Sequence, residues 1–314
     1  MTSNSEMERL KRSLPEWVEE SRGQAAFGAA ASYIPELAKA PNDALGIVVL
    51  GRDGDSASAG DTDLAFTLQS ISKVFTLILA LIDRGEEAVF AKVGMEPSGD
   101  NFNSMLKLEL VEPGIPFNPL INAGAIVVSS LISGNGPEEK KERILNYFRE
   151  LTGNDRLGIH SGVYRSESET GHRNRSLAYF LKENGVLDGE VEDVLDVYFH
   201  HCAIEVNCAE LARMALLIAN DGRDPLTGTG ILPRRFVQIA KTFMTTCGMY
   251  NASGEFAIRA GLPAKSGVSG GILAVVPGRY GIGLVGPALG RKGNSVAGVH
   301  LLERMSRAFD WSMF

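Results

Sequence analysis

The chain has 314 residues, 44% hydrophobic and 22% charged, the composition of an ordinary globular chain that can bury a large core. Its 31 Lys and Arg against 38 Asp and Glu leave a net charge of −7, and no basic cluster stands out, which argues against binding nucleic acid or an anionic membrane surface. The 35 glycines exceed the usual share of roughly 7% and point to tight turns and close backbone approaches.

The N-terminus, Met1-Thr2-Ser3-Asn4-Ser5-Glu6, lacks the basic start and apolar stretch of a secretory signal. Cys202, Cys208 and Cys247 cannot all pair, so a cytoplasmic protein with reduced thiols is expected. Residues 6–22 carry Leu10, Leu14, Trp17 and Val18 at helical spacing and stop at Gly23. A second helix is expected over 25–40. Residues 45–50 read as a strand and 63–68 as another, with hairpin turn chemistry in Gly51-Arg52-Asp53-Gly54-Asp55 between them. Residues 70–84 read as one strong helix with Gly85 as its stop. Its apolar run from Val74 to Ile82 is about half of the roughly 20 residues that span a bilayer, so a buried helix is expected. Further helices are expected over 122–132, 137–151, 176–183, 191–200 and 207–219, the last opened by an Asn207–Glu210 capping box. Strands return at 271–276 and 280–286 around Gly278-Arg279-Tyr280, and a helix over 295–309 ends the chain.

No βα alternation appears, so a doubly wound parallel sheet is disfavoured. The order predicts an α+β fold: a small antiparallel sheet flanked by N- and C-terminal helices, with a helical subdomain inserted at its middle. Residues 1–68 and 249–314 would form the α/β part and 69–248 the insertion. The active site would lie at their junction.

The string Gln69-Ser70-Ile71-Ser72-Lys73-Val74-Phe75 sits where a strand gives way to an apolar helix. A spacing of three puts Ser70 and Lys73 on one helical face. A serine hydroxyl needs a base within reach to act as a nucleophile, and a buried lysine, its charged form disfavoured, supplies one. A serine cap followed by an ordinary lysine satisfies the same string. Pro263-Ala264-Lys265-Ser266-Gly267-Val268 offers a cation and a hydroxyl at a strand edge, with Gly267 leaving room for a substrate against the backbone. The N–H of Val268 could then join that of Ser70 as an oxyanion hole. A glycine-rich turn is the plainer reading.

In this chain order, S-x-x-K and K-S-G resemble the serine acyl-transfer fold of β-lactamases and penicillin-binding proteins. The Ser-Asp-Asn element of that family is absent, and Asn122 in Pro119-Leu120-Ile121-Asn122-Ala123-Gly124-Ala125 is its counterpart. The strings Tyr33-Ile34-Pro35-Glu36-Leu37-Ala38, Met95-Glu96-Pro97-Ser98-Gly99, Asn118 to Ile126, Glu167 to Asn174, Cys247-Gly248-Met249-Tyr250 and Gly293-Asn294-Ser295 narrow the likeness. Together they resemble the serine-dependent glutaminase family from about Tyr33 to about Gly298. His172 departs from the pattern, standing where an acidic residue is expected.

The resemblance implies a β-lactamase-like fold and hydrolysis of L-glutamine to L-glutamate and ammonia, with neither metal nor organic cofactor. It implies Ser70 as nucleophile, Lys73 as its partner, and Tyr33, Asn122, Glu167, Asn174, Tyr198, Tyr250 and Val268 around the substrate, beside Lys265. Glu167 suits the substrate ammonium, and Tyr33 and Asn122 its α-carboxylate; Tyr250 is suited to relay a proton to ammonia. A homodimer or homotetramer is implied as well. The rivals are another serine acyl hydrolase of this fold and a non-catalytic amino-acid sensor. Three other patterns point elsewhere. Gly281-Ile282-Gly283-Leu284-Val285-Gly286 fits G-x-G-x-x-G, but Pro287 follows where a dinucleotide site needs a helix. His200-His201-Cys202 with Cys208 lacks a compact second ligand pair for a metal. Asp53, Asp55 and Asp61 lack the closing Glu of a calcium loop.

Overall fold

The computed structural model describes residues 3–98 and 114–314; the string beginning at Met95 ends at Gly99, outside the described residues. The architecture is α+β. Helix α1 (Ser3–Arg22) leads to β1 (Gly46–Gly51) and β2 (Ser56–Gly60), then a short β3 (Phe66–Thr67). Helices α2 (Ser72–Phe90), α3 (Asn122–Leu131), α4 (Pro137–Thr152), α5 (Ser161–Thr170), α6 (His172–Glu183) and α7 (Val191–Cys202) follow. After β4 (Glu205–Val206) come α8 (Cys208–Ala219), α9 (Arg234–Cys247) and α10 (Ser253–Arg259). Strands β5 (Ala264–Ser266), β6 (Gly271–Val276) and β7 (Tyr280–Val285), then α11 (Val296–Phe309), complete the order.

The main sheet runs β2-β1-β7-β6-β5, with every neighbouring pair antiparallel. Strands from both ends of the chain therefore share it. Because successive side chains point to opposite faces, Ile47, Val49, Ile272, Ala274 and Ile282 join Leu10, Leu14, Leu301 and Met305 in one core. Val48, Leu273 and Val275 face a second core with Leu211 and Ala215 of α8 and the apolar side of α2. Strand β3 pairs with β4 as a separate ribbon.

Several expectations are corrected. Residues 25–40 hold the 3₁₀ turns Gly23–Phe27 and Leu37–Lys39 instead of a helix. Pro35 lacks an N–H and disfavours helical geometry at Ile34, while Ala29 bridges to Leu289. The hairpin turn is where expected, but β1 pairs with Ser56–Gly60, a Ser-Ala-Ser-Ala-Gly run with no apolar alternation to announce it. Gly85 breaks the helical path at φ 81°, ψ 166°, yet helical structure resumes to Phe90. The Asn207–Glu210 capping box is present. Among the described residues no helix is long and apolar enough to cross a membrane.

The G-x-G-x-x-G string is β7. A Cβ on Gly281 would lie 2.2 Å from Leu216 N and one on Gly283 2.3 Å from Cys208 O. These glycines let α8 lie directly on the sheet. Gly283→Ala should therefore cost about 1–3 kcal/mol through overpacking, read as a lower urea midpoint at unchanged slope. An unchanged midpoint would contradict this account of the contact.

Candidate active site

Ser70 lies in the 3₁₀ turn Gln69–Ile71, just before α2, and is largely buried. Gln69 adopts φ 49°, the left-handed region that a residue with a side chain seldom enters. Such strain persists where surrounding contacts over-determine it. Gln69 Nε2 lies 3.3 Å from Glu167 Oε2 and 3.5 Å from both Thr67 Oγ1 and Cys202 O. From the other side, a Cβ on Gly267 would meet Leu68 O at 2.6 Å. Gly267 thus lets the loop after β5 abut the Ser70 turn, a closer neighbour than the substrate for which it was expected to leave room.

Lys73 is fully buried in the first turn of α2. Its Nζ donates to Asn122 Oδ1 at 2.6 Å and Leu120 O at 3.5 Å, and sits 5.7 Å from the centre of the Tyr198 ring. Both acceptors are neutral. Burial pushes the Lys73 pKa down to about 8, against the opposing influence of Cys202 and Glu167. Asn122 does not cap its helix; Asn118 Oδ1 takes the N–H groups of Leu120 and Ile121 at 3.0 and 3.2 Å. Asn122 is thereby left to accept from Lys73 and to donate to Asn174 Oδ1 at 2.9 Å.

Lys265 is fully buried on the edge strand β5. Its Nζ donates to Ser266 O at 2.6 Å and stands 4.4 Å from the centre of the Tyr250 ring. The Tyr250 hydroxyl donates to the same carbonyl at 2.9 Å and is also hydrogen-bonded to the Ser70 side chain. Its single proton is committed to Ser266 O, so Ser70 is the donor in that second bond. Burial raises the Tyr250 pKa and keeps the phenol neutral. Burial, then the like charge of Lys73, holds Lys265 well below the usual lysine range. The hydrogen bond expected between Ser70 and Lys73 is thus replaced here by Ser70 to Tyr250 and Lys73 to Asn122.

Glu167, which the resemblance sets beside the substrate, is on α5 and only 7% exposed. Burial raises its pKa to about 7, opposed by the Gln69 hydrogen bond and the Lys73 charge. Tyr198 is buried on α7. Tyr33 lies outside any helix and is 56% exposed, within the electrostatic reach of Tyr250 and Glu167. Val268 is buried in an apolar cluster with Ile34 and Val163, against which Tyr250 packs. A cavity of about 170 Å³ opens beside Tyr250, bordered by Asn118, Leu120, Cys247 and Asn251. Gln69 is the site residue that sequence reading passed over. It stands beside Ser70 in the quoted string, but its left-handed turn and its bond to Glu167 have no local signature.

Among the described residues no group of three or more His, Cys, Asp or Glu side chains is placed to hold a metal ion. His201 instead lies between Ser72 and Ser129, and all three cysteines are free.

The glutaminase family model matches residues 28–314. The glutaminase of Alkaliphilus oremlandii (strain OhILAs) is 55% identical over 295 residues, 94% of this chain and 97% of that protein. This chain belongs to the glutaminase family. The glutaminase of Geobacillus thermodenitrificans (strain NG80-2) is 54% identical over 304 residues, covering 97% of this chain and 98% of that one. Among solved structures, a Bacillus glutaminase superposes with TM-score 0.91 at 44% identity, covering 97% of this chain and 99% of that chain. The probable glutaminase from Bacillus subtilis complexed with 6-diazo-5-oxo-L-norleucine gives 0.90 at 44% identity, over 97% of each chain. The fold of this glutaminase-family chain is the β-lactamase-like arrangement expected from sequence.

The buried Glu167 makes stability depend on pH. A carboxyl whose folded pKa is about 7 binds its proton more tightly folded than unfolded. Its stabilising contribution is full below the ordinary carboxylate pKa and is lost as pH rises through about 7. Glu167→Gln, neutral at every pH, should therefore gain stability relative to wild type by roughly 2–3 kcal/mol on going from pH 5 to pH 8. Urea melts of both proteins at the two pH values check this. A pH-independent difference would refute the raised pKa.

Proposed function

We propose that the chain hydrolyses the side-chain amide of L-glutamine through a glutamyl ester at Ser70. The observation that carries this reading is a single buried polar cluster. It runs from Ser70 through Tyr250 to Ser266 O and Lys265, and from Gln69, beside Ser70, to Glu167. Lys73, whose pKa is lowered to about 8, is the base. It takes the hydroxyl proton as Ser70 Oγ bonds to the amide carbon. The oxyanion forms against the N–H groups of Ser70 and Val268. The C–N bond then breaks, and the nitrogen leaves as ammonia with a proton relayed by Tyr250. Water adds to the ester, Ser70 regains its proton, and glutamate departs.

Glu167 pairs with the substrate ammonium, while Tyr33 and Asn122 hold its α-carboxylate. Asn174 orients Asn122, Tyr198 walls the site beside Lys73, and Lys265 holds Tyr250 from behind. The proposed division into 1–68 with 249–314 and 69–248 sets this cluster at the junction of the two parts. A cytoplasmic location accords with the free cysteines. A homodimeric or homotetrameric assembly is carried over from the family resemblance.

Ser70→Ala should lower kcat more than a hundredfold, several kcal/mol of barrier, while glutamine still binds in calorimetry. Turnover above about a hundredth of wild type would exclude the ester.

Selectivity tests the rest of the site. N-acetylation removes the ammonium and leaves the Glu167 carboxylate buried and unpaired, a cost of roughly 2–5 kcal/mol. Asparagine, one methylene shorter, cannot reach the oxyanion hole with both charged ends held. Wild type should prefer L-glutamine to both by more than about thirtyfold in kcat/KM, and Glu167→Gln should narrow the gap with N-acetylglutamine. Equal use of free and N-blocked glutamine by wild type would overturn this assignment.

A further inference from the structure

His201, fully buried near the end of α7, takes no part in the steps above, yet it joins three segments of the site. Its Nδ1 is 2.7 Å from Ser72 Oγ and its Nε2 is 3.0 Å from Ser129 Oγ on α3. Ser72 Oγ is in turn 2.7 Å from Gln69 O, the carbonyl of the left-handed residue before Ser70. All four residues are buried, so water offers no replacement for a lost bond.

The ring is neutral: burial, Lys73 and His200 together push its pKa down to about 3. A neutral imidazole donates once and accepts once. With Nδ1 carrying the proton, the bonds form one directional chain. Ser129 Oγ also lies 2.8 Å from Ala125 O, a helical carbonyl that already takes the Ser129 N–H. With this tautomer Ser129 turns its one proton to Nε2, Nδ1–H donates to Ser72 Oγ, and Ser72 donates to Gln69 O. The ring itself is fixed by an edge-on contact with Tyr198, 5.3 Å between centroids.

We infer that His201 is a positioning residue for acyl transfer: through Ser72 it holds the Gln69 carbonyl, and with it the strained turn that presents Ser70. The inference rests on Ser70 being the nucleophile. Gln69 is then clamped at both ends, its side chain by Glu167 and its carbonyl by the serine–histidine chain. His201 touches no reacting atom. Its effect should fall on the rate of attack at Ser70 and leave ground-state binding through Glu167, Tyr33 and Asn122 in place.

The test compares wild type with His201→Leu, His201→Gln and Ser72→Ala. It measures kcat, KM for L-glutamine, melting temperature, and the rate of labelling by 6-diazo-5-oxo-L-norleucine, with the labelled residue mapped by mass spectrometry. Leu removes both ring nitrogens, whereas Gln restores one donor and one acceptor. In His201→Leu and Ser72→Ala, kcat and the labelling rate should fall together by roughly tenfold or more, with KM within about twofold of wild type. His201→Gln should recover most of the loss. Ser72→Ala decides the matter if His201→Leu does not fold. Wild-type rates in Ser72→Ala, a loss confined to melting temperature, or no recovery in a folded His201→Gln would each overturn the inference. Labelling of wild type at a residue other than Ser70 would instead remove the nucleophile assignment on which it rests.

Discussion

Three ionisable side chains, Lys73, Lys265 and Glu167, are buried in one polar cluster, and the rest of the site is arranged around that fact. Taking a charge out of water costs several kcal/mol per ion even in a relaxed protein. The hydrogen bonds here compensate with dipoles: Lys73 lies on the Asn122 amide oxygen, Lys265 on the Ser266 carbonyl, and Glu167 on the Gln69 amide. Amide and carbonyl dipoles solvate a charge less completely than an opposite charge does. That leaves Lys73 at about 8 and Glu167 at about 7, both close to neutrality. The first turns of α2, buried on all sides from Ser72 to Leu81, are what keep Lys73 dry.

Bringing these groups together requires main chain to approach main chain. A Cβ on Gly267 would meet Leu68 O at 2.6 Å, and one on Gly248 would meet Ala264 O at 1.8 Å. The first contact presses the loop before Val268 onto the Ser70 turn. The second sets the segment that leads into Tyr250 against the strand that carries Lys265. Neither approach survives a side chain. The glycine excess noted in the composition is, at these positions, the means by which distant segments converge on Ser70.

The parts of this arrangement that rest on local pattern were legible in the sequence. Helical periodicity located most of the helices, the capping box opened α8, and Gly51 to Asp55 marked the hairpin. The motif strings named Ser70, Lys73, Asn122, Tyr250 and Lys265. What escaped depends on tertiary surroundings. Strand β2 is a strand because β1 pairs with it, not because Ser-Ala-Ser-Ala-Gly favours one. Helix α5 is too polar to announce a buried face: the family resemblance named Glu167, but its burial arises only from packing. The φ of Gln69 and the bridge through His201 arise where α2, α3 and α7 meet, and no single segment encodes them.

The same burial links recognition to reactivity. The Glu167 charge favours the protonated form of Lys73, which is the form unable to act as a base. On the proposed assignment, a substrate ammonium beside Glu167 cancels most of that field at the position of Lys73. Pairing also holds Glu167 as a carboxylate, a charge that burial alone disfavours. Filling the site with a free amino acid therefore relieves the desolvation of Glu167 and weakens the hold on the Lys73 proton in one step. An uncharged amine position does neither: Glu167 then remains an unpaired buried charge or takes up a proton, and in both cases binding energy is lost. On that assignment one ion pair selects the substrate and readies the base, because both charges share a region from which water is excluded.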